Sequence, residues 1–455
     1  MSIRVSSNQM VYGYQKQLND ANYRQTKLLE QGDGSKLHRP SDDSVDYSKY
    51  LRYTVSENEN TQYQENVNTA ISWMKTSDAA LVNMTAIQTT FKEKTVAAAN
   101  STNNSDDMKA IGKEMMAEIQ ELVSLGNTMQ GDSYVFGGQK DLTKPFSMST
   151  GEDDRGLAKT LDENQSAYFS GNSGADDAGS LKQMLSLKGS DGNIYYLNTK
   201  DGYVYTKDFV ENGYKNRVAK NISKVNPSTD AAGKIDSFAT GADKVSTYFM
   251  NTGALRTDSD AETAKTNNMK MTVTDSSGNP SEITFTFICV KQQIVHYAGD
   301  DKGVSMVKKN GTTEPVADTV NVTGPEIFGS DIFDDANSGN KVSGAAMLNQ
   351  MLTVRAQVEG LDNEWLSKDG QTVADGVHAT TVNTQTKLGA RQQLYESVNT
   401  MLSNQNELIT SDITNVSSTD VAKLAVQLMQ EQTIYNLSLS LGGRILPQSL
   451  ADYLR

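Results

Sequence analysis

Apolar residues recur at three- and four-residue steps from Val11 to Met129, and again from Met347 to Leu454. The segment between them follows another rule: it is rich in Gly, carries short alternating runs, and holds five of the seven prolines, Pro145, Pro227, Pro280, Pro315 and Pro325. At the N-terminal end Val11, Tyr14, Leu18, Ala21 and Leu28 keep step, with Gln25 filling the remaining position. That is a narrow coiled-coil seam over about 8–31, not a wide core face. The helix is expected to stop at Gly32-Asp33-Gly34-Ser35. Pro40 pushes Arg39 out of helical geometry, and Ser41 is a suitable N-cap for the helix that follows. Asp42 and Asp43 suit the positive end of that helix's dipole.

The second helix is predicted over about 46–100. It is polar from Glu57 to Gln64 and then steps cleanly through Met74, Leu81, Met84, Phe91 and Ala98. A third covers about 106–129. Gly131 to Gly138 reads as a turn, a short strand and a turn. Within 147–342, strands are predicted at 193–198 and 203–206 across Asp201-Gly202, and at 270–274 and 282–290. Helix returns near Ser343 and ends near Trp365. Lys368-Asp369-Gly370 and Asp375-Gly376 read as turns before a long helix over about 380–413. A last helix starts at the Ser417-Ser418-Thr419-Asp420 cap, carries Val421, Leu424, Leu428, Tyr435 and Leu439, and is expected to break at Gly442-Gly443. The fold class is α+β multidomain: terminal helices pair as an elongated coiled coil and bundle, with a central β-rich domain inserted between them.

Composition narrows the function. Hydrophobic residues make up 36% of the chain, low for a compact globule, so much of the surface is left for solvent or partners. The net charge of -14, without a Lys/Arg run, argues against nucleic acid as a partner. No apolar run approaches the roughly 20 residues that span a bilayer, and Met1 to Tyr12 has no apolar signal-peptide core. The single cysteine, Cys289, sits in a strand-like run and reads as a buried thiol.

The three histidines, His38, His296 and His378, stand apart, and His38 reads as a turn contact. The acidic clusters Glu152-Asp153-Asp154 and Asp331 to Asp335 lack the spacing of a calcium loop, and no phosphate-cradling glycine pattern occurs. No catalytic residues, metal or cofactor are expected, and the chain does not read as an enzyme.

Ile3-Arg4-Val5-Ser6-Ser7 leading into the seam helix, Arg39-Pro40-Ser41-Asp42-Asp43, and Gly131 to Gly138 with Pro145-Phe146 together resemble the bacterial flagellins and hook-associated proteins. Leu437-Ser438-Leu439 and Ser449 to Leu454 are similar to members at the junction of hook and filament, and unlike filament subunits. The resemblance covers about 1–146 and 343–455. It departs at Ser44, where members often carry Pro.

The resemblance implies an inner coiled coil of 1–42 with 415–455, expected to be disordered or partly helical in the free subunit. Around it would stand a helical bundle of 43–146 with 343–414, and 147–342 would project as an outer variable domain. The implied function is a structural subunit joining hook to filament, assembled as a ring after secretion through the flagellar type III export apparatus. The implied partners are itself, the adjacent hook-associated protein, filament flagellin and an export chaperone, the last meeting Val421, Leu424, Leu428 and Tyr435. Two alternatives stand beside it: a filament subunit, and an adhesin or glycan binder using Tyr195, Tyr196, Tyr203 and Tyr205 as an aromatic platform.

Overall fold

The computed structural model describes residues 2–170, 181–198, 203–216, 223–224, 269–274, 280–304, 319–329 and 344–445. The chain divides into two compact units, Met1–Asn68 with Ser397–Arg455, and Thr69–Glu396.

The first unit is helical. It holds α1 (Ser2–Glu30) and the first part of α2 (Ser44–Ala98), and, from the returning chain, the last part of a 47-residue helix, Gln371–Ser417, and the helix Val421–Ile445. The expected break at Gly442-Gly443 does not occur, because the last helix runs through both glycines to Ile445. The terminal Ser449 to Leu454 lie outside the described residues.

In the second unit, the rest of α2 is joined to α3 (Ser105–Gly126) by Lys94, which meets Glu114 at 3.0 Å and Glu118 at 2.7 Å. Met74, Leu81, Met84 and Phe91 of the one, and Met108, Met115, Ile119 and Leu122 of the other, are fully buried. The start of α3 carries a capping box missed in the sequence: the Asn104 side chain accepts from the Asp106 and Asp107 amides (2.8 and 2.9 Å), and the Asp107 carboxylate accepts from the Asn104 amide (3.2 Å).

A small hairpin follows, β1 (Met129–Gln130) with β2 (Ser133–Tyr134). Beyond it Gly138 sits at φ +71°, and a Cβ there would strike the Asp300 carboxylate. That carboxylate accepts from the Gln139 amide at 2.7 Å. This close approach is the physical reason for Gly138, whereas a Cβ at Gly137 would meet the Lys140 carbonyl oxygen at 2.8 Å.

The chain then leaves the helices as one strand of a ribbon and returns as the other. The outgoing strands are β3 (Phe146–Met148), β4 (Asp153–Gly156) and β5 (Ala158–Thr160). After α4 (Glu163–Phe169) come β6 (Gln183–Gly189), β7 (Ile194–Leu197), β8 (Tyr203–Thr206), α5 (Lys207–Glu211) and β9 (Ser223–Lys224). β10 (Met269–Thr274), β11 (Pro280–Phe287), β12 (Cys289–Gln292) and β13 (Val295–Tyr297) bring the chain back. The stem pairs β3 with β13, Phe146 opposite Tyr297, and β4 with β12, Gly156 opposite Cys289. Above it the antiparallel order is β10-β11-β6-β7-β8-β9, with β5 also on β6, and β10 comes alongside β9.

Both predicted hairpins form, β7–β8 and β10–β11. Of the platform tyrosines of the adhesin alternative, Tyr195, Tyr196 and Tyr205 are buried, which removes that platform. Tyr196 and Tyr205 instead pack with Phe169, Phe209 and Tyr214 in the insert's core. The Tyr203 side chain lies outside the described residues. Glu152 to Asp154 lead into and form the start of β4, Cys289 is a half-buried strand residue, and Asp331 to Asp335 lie outside the described residues.

The returning chain adds α6 (Gly324–Phe328), α7 (Ala346–Glu359) and α8, the long helix Gln371–Ser417. Asn349 of α7 acts as a substitute strand edge. Its side-chain oxygen accepts from the Val295 amide (2.8 Å) and its side-chain nitrogen donates to the Val295 carbonyl (2.9 Å). Gln292 donates to the Asn349 carbonyl at 3.1 Å, so the stem is seated on α7 through buried polar groups.

The predicted turn at Asp369-Gly370 is a π-helical turn, Leu366–Gly370, and Asp375-Gly376 is helical within α8. Asp369 is buried there because Lys159 of β5 meets it at 2.6 Å, with the Lys159 ammonium also 5.5 Å from the centre of the Tyr196 ring. Leaving one ion of such a pair buried alone costs more than removing both. Asp369→Leu should therefore cost about 3–5 kcal/mol in urea unfolding, and adding Lys159→Met should recover part of that loss. Equal losses for the single and double variants would contradict the pairing.

Candidate assembly surface

Two helix pairs make the first unit, and each can be read from its seam. In α1 the positions turned inward are Tyr14, Leu18, Ala21, Gln25 and Leu28, alternating by four and three. In α9 (Val421–Ile445) they are Leu424, Leu428, Glu431, Tyr435 and Ser438, on the same alternation. The two helices pack on each other. Arg24 meets Glu431 at 3.0 Å, and the Thr419 amide donates to the Gly34 carbonyl at 2.9 Å, which fixes an antiparallel pairing.

Ala21 is 1% exposed, and its small side chain allows close approach. The remaining seam residues other than Leu424 are half-buried, as in a two-helix pair with no third element over it. Two predicted seam members fall elsewhere. Val421, the first residue of its helix, is 68% exposed, and Leu439 is 45% exposed because Ser438 takes the inward position. The Val11 side chain lies outside the described residues.

α9 is apolar on both sides. Val426, Met429, Ile434, Leu437 and Leu441 are all exposed on the face away from the seam. A helix hydrophobic all round is normally a buried one.

The break between α1 and α2 is built on aspartates. Gly34 takes φ +95° at the end of a single 3-10 turn, Gln31–Asp33. Leu37 is buried, and the Lys36 amide donates to the Ser417 carbonyl at 2.7 Å, tying this turn to the return between α8 and α9. Pro40 and Ser41 lie in a turn, and Ser41 is not the cap. Asp43 is, accepting from the Val45 and Asp46 amides at 3.0 Å each. Asp42 reaches backward instead, accepting from the His38 and Arg39 amides (3.1 and 2.9 Å) and from Lys27 (3.1 Å).

Arg39 pairs with Glu30 at 2.9 Å, and His38 Nε2 stands 3.3 Å from Asp33, the turn contact expected of it. The Lys27 ammonium, then the Arg39 amide, hold the Asp42 carboxyl below the ordinary carboxylate range. Asp420 opens α9, accepting from the Lys423 amide at 3.0 Å.

Among the described residues no cluster of ligating side chains could hold a metal ion, and no helix is long and apolar enough to cross a membrane.

Residues 5–141 match the model of the bacterial flagellin N-terminal helical region. Over those residues the chain is similar to the helical N-terminal part of the bacterial flagellins. Hook-associated protein 3 of Salmonella typhimurium is 25% identical over 154 residues, 33% of this chain and 48% of that protein. Flagellin D of Vibrio anguillarum is 27% identical over 267 residues, 54% of this chain and 67% of that protein. The chain thus spans about half the length of the hook-associated relative it matches. A crystal structure of the flagellar junction protein FlgL from Legionella pneumophila superposes with a TM-score of 0.36 at 11% identity, over 81% of this chain and all of that one.

The depressed Asp42 carboxyl gives a signed expectation. Its stabilisation is present above the unfolded carboxylate range and is lost as pH falls through the folded value. The His38 and Arg39 amide resonances should therefore move together in an acid titration, with a midpoint below about 3.9. A midpoint at or above that value would remove Asp42 from the turn. Substituting Ala21→Glu should unpair α1 from α9, seen as loss of helical circular dichroism from both.

Proposed function

We propose that this chain is a structural subunit joining the flagellar hook to the filament, assembled as a ring after export through the flagellar type III apparatus. The observation that carries the reading is the terminal helix pair. α1 and α9 close on each other through one seam, while α9 keeps a second apolar face uncovered. A subunit with one face matched to itself and another left open forms head-to-tail contacts, which generate rings or helices.

The partners are other copies of the chain, the adjacent hook-associated protein, and filament flagellin. No nucleic acid, membrane insertion, catalysis or cofactor enters the mechanism. In this reading 1–42 with 415–455 form the inner coil, 43–146 with 343–414 the surrounding bundle, and 147–342 the outward domain.

An export chaperone would hold the last helix before secretion. Leu424, Leu428 and Tyr435 are turned toward α1 and Val421 is open, so chaperone binding to the first three and pairing with α1 exclude each other. That exclusion orders the events: the chaperone leaves, then the ends pair. The terminal pair has too little apolar seam to order strongly alone, so ordering accompanies assembly.

A filament subunit is the second reading, favoured by the longer match to flagellin D. A clean deletion separates the two. The junction reading expects a completed hook, filament protein shed into the medium unattached, and lost motility. Normal filaments in that strain would exclude it. Loss of all filament protein, with long filaments growing from the purified chain on seeds, would favour the filament subunit.

A further inference from the structure

α2 changes character along its length. From Ile71 onward its inward positions are filled by Met74, Leu81, Met84 and Phe91. Over 46–67, in the first unit, the inward positions are Asp46, Tyr50, Tyr53, Glu57, Asn60, Gln64 and Val67, with one aliphatic among them. The aliphatic residues of this stretch point out: Val45, Leu51 and Val55 are exposed, as are Met401 and Leu408 on α8. The amphipathic arrangement is inverted on the α2 side.

Asn60 is the sharpest case. It is 3% exposed, and neither its amide nitrogen nor its amide oxygen has a hydrogen-bond partner. The contacts of Glu57 with Thr410 and of Asn68 with Asn399 (3.1 Å) set an antiparallel register with α8. That register brings Asn60 level with Asn406 and Glu407. The Asn406 Oδ1 is also buried without a partner. Each unpaired buried polar group shifts an opening equilibrium by roughly tenfold or more toward the open state. Three unpaired side-chain polar atoms on asparagines that stand nearly level weaken one short section of a coil whose helices are otherwise continuous.

We propose that the α2–α8 coil over 44–68 and 397–417 is a release section. It opens locally while the apolar length of α2 stays closed, and Asn60 with Asn406 sets how readily it opens. Opening uncovers the inward tyrosines Tyr50 and Tyr53 beside aliphatic residues that already face out. A polar residue at a seam position trades stability for control of register, and here Asn60 gains no hydrogen bond in return. The use of this opening in assembly rests on the junction reading, whereas the weakness of the pairing belongs to the isolated chain.

Hydrogen exchange read by mass spectrometry on the full-length chain tests it. Peptides covering 47–66 and 399–415 should exchange at least about tenfold faster than peptides covering 72–95, all being helix interior. Asn60→Leu with Asn406→Leu should slow the first two by at least about tenfold and leave 72–95 unchanged. Equal protection along α2 in the unaltered chain would overturn the proposal without any variant. So would faster wild-type exchange that the double substitution leaves untouched. Asn60→Asp should speed exchange over 47–66, and no change would also count against it.

Discussion

The chain must come back beside itself. An amphipathic helix with a narrow seam cannot bury that seam alone, and in the first unit the partner is the returning chain. Within the first unit, Gly34 meets Thr419, Arg24 meets Glu431, Glu57 meets Thr410 and Asn68 meets Asn399. Within the second, Gln88 meets Thr381 at 2.8 Å, and Phe146 stands opposite Tyr297 in the stem. Each pair joins an outgoing residue to a later one in antiparallel register. The β-rich insert is tolerated because its stem obeys the same rule, and Asn349 secures the stem where strand pairing runs out.

That rule also makes polar seam residues consequential. Gln25 and Glu431 sit in the terminal seam, and Asn60 and Gln64 in the next section. Lys159 and Asp369 are buried in the second unit. The last two are paired with each other and hold one arrangement. Asn60 is unpaired and holds its section loosely. The difference between a fixing polar contact and a loosening one is whether the buried group finds a partner.

Much of this was legible in the residues. The seam Tyr14, Leu18, Ala21, Leu28 could be counted off the chain, as could the break after Gly32 and both hairpins, because each depends on local spacing. The misplacements have physical causes. Ser41 looks like a cap by type, but Asp43 is one residue before the helix and Asp42 is drawn back by Lys27. Asp375-Gly376 looks like a turn, but helix packing overrides the local preference, and a Cβ at Gly376 would meet open space. Leu439 keeps helical step with Tyr435, yet a heptad runs through Ser438. The strands Phe146–Met148 and Asp153–Gly156 were invisible because their partners lie far along the chain, at Val295–Tyr297 and Cys289–Gln292.

The central claim is the antiparallel closure of the two chain ends, and cysteine cross-linking measures it directly. In a Cys289→Ser background, Ala21→Cys with Tyr435→Cys places the two thiols one helical turn beyond the Arg24–Glu431 contact, both in the seam. The account predicts rapid intramolecular disulfide formation for that pair. It predicts little for Tyr23→Cys with Tyr435→Cys, since Tyr23 is exposed on the far side of α1. Equal rates for the two pairs, or no cross-link in either, would contradict it.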